Sequence, residues 1–183
     1  MSSLRERYGR RLSHAACILA IIVCGACSPT YDWRDVTNAT EGYRVVLPAK
    51  PLLDERQVEI AGMRLTMRMQ SARVRDTVFA VGVITLPSSE PLLHQKVLDA
   101  LRIGLARNLR AVPETQAITI PLVSGGRISG LRLSANGWVQ NKHETIQAWL
   151  VARDNRVYQL VTISDKAFPD EQIDVFFQSF RLN

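Results

Sequence analysis

The chain has 183 residues, of which 46% are hydrophobic, 22% charged and 7% aromatic, with a formal net charge of +6. These are the length and composition of one ordinary globular domain, and they disfavour intrinsic disorder. A lone apolar run near the N-terminus excludes a multi-span membrane protein, and the three cysteines, all before position 28, exclude a disulfide scaffold.

Residues 1–14 carry Arg5, Arg7, Arg10 and Arg11 against Glu6, and residues 15–26 (AACILAIIVCGA) are apolar throughout. A basic head and a short apolar stretch ending in small residues form the layout of a secretory signal; the stretch falls well short of the roughly 20 residues that span a bilayer. An uncleaved N-terminal anchor is the alternative. Cys24-Gly25-Ala26-Cys27-Ser28 resembles the lipobox of bacterial lipoproteins, in which small residues precede a cysteine that is lipidated and becomes the new N-terminus. Gly25, Ala26 and Cys27 fit the pattern, while Cys24 stands where an aliphatic residue is usual. The resemblance implies removal of residues 1–26 as a signal peptide and acylation of Cys27 with palmitate and related chains. From Ser28 it implies sorting to the outer membrane, with the domain facing the periplasm. Removal of the segment halves the formal net charge of +6. It also leaves no free thiol, which suits an oxidising compartment. On this reading residues 27–42 are the lipidated N-terminus and a short tether, and residues 43–183 form a single domain.

Trp33, flanked by Asp32, Arg34 and Asp35, marks the approach to the core, and Thr37-Asn38-Ala39-Thr40-Glu41-Gly42 reads as a turn. Tyr43-Arg44-Val45-Val46-Leu47 is a short β-rich run stopped by Pro48 and Pro51. Met63, Leu65, Met67 and Met69 alternate with Arg64, Thr66, Arg68 and Gln70, which puts one set on a core face and the other in solvent. Residues 57–60 lead into this strand through Ala61-Gly62, a two-residue hairpin turn by position although Ala-Gly is a weak turn pair. After Arg75-Asp76, residues 77–86 (TVFAVGVITL) are apolar on both faces, as in a central strand covered on both sides.

A helix follows over about 91–111, where Leu93, Val97, Leu101, Leu105 and Leu109 recur every four residues. Its other faces carry Lys96, Arg102, Arg107 and Arg110; Ser88 or Ser89 is the expected N-cap and Pro113 the stop. Further strands are expected over 116–123, 127–133, 145–151 and 157–163, with turns at Gly125-Gly126 and Asp154-Asn155. A final helix begins at Pro169, with Asp170 and Glu171 in its first turn and Ile173, Phe176, Phe177 and Phe180 as its apolar face.

Strands, a long helix, strands and a short helix add up to an α+β domain. The expected form is an antiparallel β-sheet meander packed by one long central helix and a short C-terminal helix. A domain of this size buries roughly 70% of its unfolded surface and needs neither metal nor disulfide to fold. Gly42-Tyr43-Arg44-Val45-Val46-Leu47-Pro48, the later Leu86-Pro87 and the closing Phe176-Phe177-Gln178-Ser179-Phe180-Arg181-Leu182 resemble small bacterial envelope domains of the PsbP/Mog1-like fold. That family is functionally mixed, so the resemblance implies a fold and no functional residue.

Catalytic signatures do not assemble. His143-Glu144-Thr145-Ile146-Gln147 begins like the zinc motif H-E-x-x-H, but Gln147 replaces the second histidine and the segment is an expected strand. With His94 as the only other histidine after the signal, no metal and no cofactor is expected. Ser129, in Gly126-Arg127-Ile128-Ser129-Gly130, is one residue out of register with G-x-S-x-G. Gly125, Gly126 and Gly130 lack the Lys-Ser/Thr of a phosphate loop and read as hairpin punctuation. Asp54, Glu55, Glu59, Asp76, Glu144 and Asp154 fall in expected loops or hairpin flanks, where solvated surface is the default. The basic residues offer more. Arg64 and Arg68 share a strand face and Arg102 and Arg110 lie on the long helix; all four are candidate contacts to an anionic envelope surface near the membrane. A merely solvated face is the alternative. Nucleic acid is not an expected partner, because no aromatic platform accompanies these arginines.

Three functions remain. The first is a non-catalytic, membrane-anchored envelope lipoprotein that binds a partner or assists assembly. The second is a carrier of a small ligand or lipid, in a pocket between sheet and long helix lined by Met67, Met69, Phe79 and Trp138. The third is a hydrolase built around His143 and Glu144 with a partner from another strand.

Overall fold

The computed structural model describes residues 30–109, 111–139, 141–165 and 170–183. Alternating apolar and polar residues draw most of this chain into antiparallel strands. A short sheet is formed by β1 (Arg34–Asn38), β2 (Tyr43–Leu47) and β10 (Arg181–Leu182), with β2 in the middle. A seven-stranded sheet contains β3 (Leu52–Ile60), β4 (Met63–Val74), β5 (Thr77–Thr85), β6 (Glu114–Pro121), β7 (Arg127–Val139), β8 (Lys142–Arg153) and β9 (Arg156–Ser164), in the order β3-β4-β5-β9-β8-β7-β6. Helix α1 (Pro91–Leu109) joins β5 to β6, and α2 (Asp170–Ser179) precedes β10. The architecture is α+β with antiparallel sheets.

The expected single meander is two meanders, β3-β4-β5 and β6-β7-β8-β9. Helix α1 carries the chain from β5 to the far edge, and an antiparallel β5–β9 pair closes the sheet. The folded unit spans Tyr31–Asn183, so it starts ahead of the expected boundary at residue 43. Part of the expected tether is β1, whose Arg34 to Asn38 pair with Leu47 to Tyr43 of β2. The expected signal, residues 1–26, and Cys27 lie outside the described residues.

Each face of the large sheet has its own core. On one face Leu65, Met67, Ala80, Ile84, Leu133, Ile146 and Leu150 pack with Val97 and Leu101 of α1. On the other, Phe79, Val81, Val83, Tyr158 and Leu160 pack with Tyr43, Val45 and Leu47 of β2 and with Ile173, Phe176 and Phe177 of α2. This double cover explains why β5 is buried almost end to end, as its apolar run implies. Aromatic contacts hold the second core: Phe176 meets Phe79 edge-on at 5.5 Å, and Tyr43 meets Tyr158 edge-on at 6.4 Å and Phe180 at a tilt at 5.9 Å.

Two glycine-bearing sites show what the turns demand. Ala61 and Gly62 both have positive φ, 53° and 77°, the geometry of a type I′ hairpin turn. Gly130 is not hairpin punctuation but a mid-strand residue opposite Ile118. A Cβ there would sit 3.1 Å from the Leu150 carbonyl oxygen and 3.2 Å from Ile120 Cγ1, so close backbone approach selects glycine. Helix α1 starts at Pro91, with Glu90 rather than Ser88 or Ser89 just before it: the Glu90 carbonyl accepts from the Leu93 and His94 amides at 3.0 and 3.1 Å.

Candidate functional site

The turn between β1 and β2 stands over the β3–β4 hairpin, and an open cleft of about 640 Å³ separates them. Its walls include Thr37, Leu53, Glu55, Arg68, Met69 and Gln70. A volume of this size lies within the range of ligand and side-chain recognition pockets.

Glu41 closes the upper end of the cleft. Its amide donates to Asn38 Oδ1 at 3.0 Å, and the Gly42 amide donates to the Asn38 carbonyl at 2.8 Å, with Gly42 at φ +73°. These local bonds turn the Glu41 side chain inward, where it is only 4% exposed. Its Oε1 lies 3.1 Å from Arg68 Nη1 of β4 and its Oε2 3.4 Å from Arg156 Nε of β9. Arg68 also reaches across to β3, with Nε donating to Glu55 Oε2 at 2.7 Å. The backbone of the turn is tied down too: Tyr158 donates its hydroxyl to the Glu41 carbonyl at 2.8 Å, and Arg156 Nη2 donates to the Thr40 carbonyl at 3.1 Å. Below them, Tyr43 donates its hydroxyl to Gln70 Oε1 at 2.5 Å.

Two carboxylates against two guanidinium groups leave this cluster with no net charge. Hydrogen bonds that Arg68 donates to Glu55 first, and then to Glu41, hold its guanidinium still more firmly protonated than an ordinary arginine. Burial pushes the Tyr43 phenol up to about 12, and burial also raises that of Tyr158. Arg68, Tyr43 and Tyr158 are thus each held in the protonated form, which suits a clamp on the turn and a shaped wall to the cleft.

Of the four candidate arginines, the three described ones, Arg64, Arg68 and Arg102, do not form one surface. Leu65 and Met67 point into the core beneath α1, so strand alternation turns Arg64 and Arg68 to the opposite face. Arg64 is exposed with Glu59 opposite it on β3, while Arg68 is engaged by Glu41 and Glu55. Arg102 sits on α1, with Nη2 3.4 Å from Asp99 Oδ1. Arg110 lies outside the described residues.

The four residues expected to line a carrier pocket also separate. Met67 is buried under α1, Phe79 is buried on the other face, and Trp138 is 63% exposed. Only Met69 borders the cleft. His143 and Glu144 are consecutive on β8 and therefore point to opposite faces, so they cannot converge on one substrate. His143 instead meets Trp138 edge-on at 5.6 Å, and His94 Nε2 bonds the Asp154 carbonyl at 2.7 Å. Ser129 is a strand residue opposite Thr119. Among the described residues, no three His, Cys, Asp or Glu side chains gather as metal ligands would.

Glu41 escaped sequence reasoning, since nothing local distinguishes it from a solvated turn residue. The Glu55–Arg68 pair did carry a signal: the turn at Ala61-Gly62 makes residues placed symmetrically about it cross-strand neighbours, which pairs Glu55 with Arg68 and Glu59 with Arg64. Among the described residues no helix is long and apolar enough to cross a membrane. The chain matches no protein-family model and no curated protein sequence.

Proposed function

We propose that the chain is a bacterial envelope lipoprotein, anchored through acylated Cys27 in the outer membrane and facing the periplasm. Its domain serves as a non-catalytic binding or assembly module of the PsbP/Mog1-like kind. The anchor rests on the basic head, the apolar stretch and Gly25-Ala26-Cys27-Ser28. The fold assignment draws support from the antiparallel α+β architecture.

The observation that carries the binding role is the open cleft beside an exposed edge strand. Leu52 and Leu53, at the start of β3, are 70% and 75% exposed, and Leu53 borders the cleft. Large apolar side chains left in water beside a preformed recess mark an interaction site. The neutral Glu41–Arg68–Glu55–Arg156 cluster would give such a contact polar complementarity without selecting a strongly charged ligand.

Site-specific photocrosslinking in cells tests this reading, with the reactive group at Leu53, at Arg64 on the same sheet face, and at Leu92 of α1 as an exposed control. A discrete adduct from Leu53 or Arg64 that is absent from Leu92 is the expected result. Adducts of equal yield from all three positions would contradict it.

A further inference from the structure

The β7–β8 hairpin outruns its neighbours. Its rungs Gly137↔Glu144, Trp138↔His143 and Val139↔Lys142 lie beyond the end of β9, where Ser164 faces Thr145, and beyond the start of β6, where Glu114 faces Ser134. Among the described residues the outcome is a two-stranded arm without a flanking strand, a form that is marginal on its own. At its tip Trp138 is 63% exposed with His143 edge-on to its ring, and Lys142 beside them is exposed. An indole held out on a projecting arm calls for a surface to meet.

The arm points to the end of the domain where the chain enters it. Tyr31 stacks on Trp33 at 5.9 Å, and Trp33 meets Phe79 edge-on at 6.5 Å. Phe79 faces Thr162 of β9, which faces Gln147 of β8. From that row the Trp138–His143 rung lies four residues, about 13 Å, further along β8. The Glu41 cleft lies in the other direction, since Arg68 faces Val83 and Val83 faces Tyr158. Strand alternation also puts His143 on the sheet face of Trp149, which packs on Phe177, the same face that receives Phe79 and Trp33. Entry point and arm therefore share one end and one face of the sheet.

Cys27 precedes Tyr31 by four residues, a reach of at most about 14 Å. We propose that the β7–β8 arm is a membrane foot: the Trp138 indole seats in the head-group region of the bilayer that holds the Cys27 acyl chains, with Lys142 reaching lipid phosphate. This inference rests on the lipoprotein reading above. Tryptophan favours that depth because its ring is apolar and its N–H is polar, and lysine lays its stem along the apolar layer with the ammonium in water. One indole binds a bilayer weakly, but the tether makes the contact intramolecular, where an effective concentration in the millimolar range suffices. Seated this way, the domain holds its cleft away from the membrane, open to a partner in the periplasm.

The test uses the full-length, acylated protein reconstituted into vesicles of phosphatidylethanolamine and phosphatidylglycerol, with or without brominated acyl chains. Bromolipid should quench the tryptophan emission of the wild type, and Trp138→Phe should lose most of that quenching, leaving Trp33 and Trp149 as reporters. In parallel, Lys142→Cys supplies a free thiol for an environment-sensitive dye, with Ala61→Cys at the opposite end as the comparison. The dye at position 142 should brighten severalfold in vesicles while that at 61 stays unchanged. Quenching that persists undiminished in Trp138→Phe, or no quenching, or equal dye response at both positions, would overturn the foot; an arm that docks a protein instead gives the unquenched result. Mass analysis of the N-terminal peptide separates the two readings. A chain without acyl groups on Cys27 defeats both, whereas an acylated chain with Trp138 unquenched defeats the foot alone.

Discussion

The carboxylate of Glu41 lies 3.1 Å from the guanidinium of Arg68, and this contact ties the turn of the small sheet to the second strand of the large one. The two partners are unequal, since Glu41 is 4% exposed and Arg68 48%. Removing the carboxylate leaves Arg68 half exposed and still paired with Glu55, so the loss is smaller than for a fully buried pair. Glu41→Gln should destabilise the domain by about 1–3 kcal/mol, read from urea denaturation midpoints. It should also weaken any adduct captured from Leu53, because the cleft wall loosens. A variant with unchanged stability would mean that the backbone bonds from Tyr158 and Arg156 hold the turn unaided.

Alkaline pH should expose the buried phenols. Tyr43 is held protonated up to about 12 against an ordinary value of 10.0, with burial as the main cause. Because the folded value is raised, its contribution is fully present below the unfolded value and disappears as pH rises through the folded one. Stability should therefore fall by roughly 2–3 kcal/mol as pH climbs from 10 to 12, with Tyr158 adding in the same direction. In Tyr43→Phe the slope of stability against pH should flatten over that window. An unaltered slope would place the titration elsewhere.

The β3–β4 turn stores a local cost that can be relieved. Ala61 adopts φ 53°, a left-handed conformation that its Cβ disfavours, and asparagine is the preferred residue before glycine in a type I′ turn. Ala61→Asn should raise stability by about 0.5–1 kcal/mol, seen as a higher thermal midpoint.

The register of β4 can be checked with a pair of substitutions. Met67 is 9% exposed and packs under α1, whereas Arg64 is exposed on the opposite face. Met67→Asp buries an unpaired charge and should cost about 3–5 kcal/mol, while Arg64→Gln should stay within about 0.5 kcal/mol of wild type. Equal melting of the two variants would shift the strand by one residue.

Much of this arrangement is legible in the sequence where a residue's neighbours in the chain decide its fate. The alternation from Met63 to Gln70, the apolar run of β5 and the four-residue stripe of α1 each report one-sided or two-sided burial directly. Strand β1 is not legible. Arg34, Asp35, Val36, Thr37 and Asn38 have little apolar content, and the strand exists because β2 offers it backbone partners. The charged first half of β3 is hidden for the same reason, as an edge strand supported from one side. The sheet order is also non-local, since α1 carries the chain past three strand positions before β6 begins. At the site, Glu55 and Arg68 are related by a turn the sequence announces, but Glu41 meets Arg156 only through pairing of distant strands.

The proposed role depends on Cys27 holding this domain at a membrane. Metabolic palmitate labelling with membrane fractionation, comparing wild type with Cys27→Ala, tests it most directly. The wild type should be labelled and found in the outer-membrane fraction, and the Cys27→Ala variant should lose both label and membrane association. An unlabelled wild type would rule out acylation of Cys27: found in the membrane, it would have kept its signal as an anchor, and found in the soluble fraction, it would be a free domain.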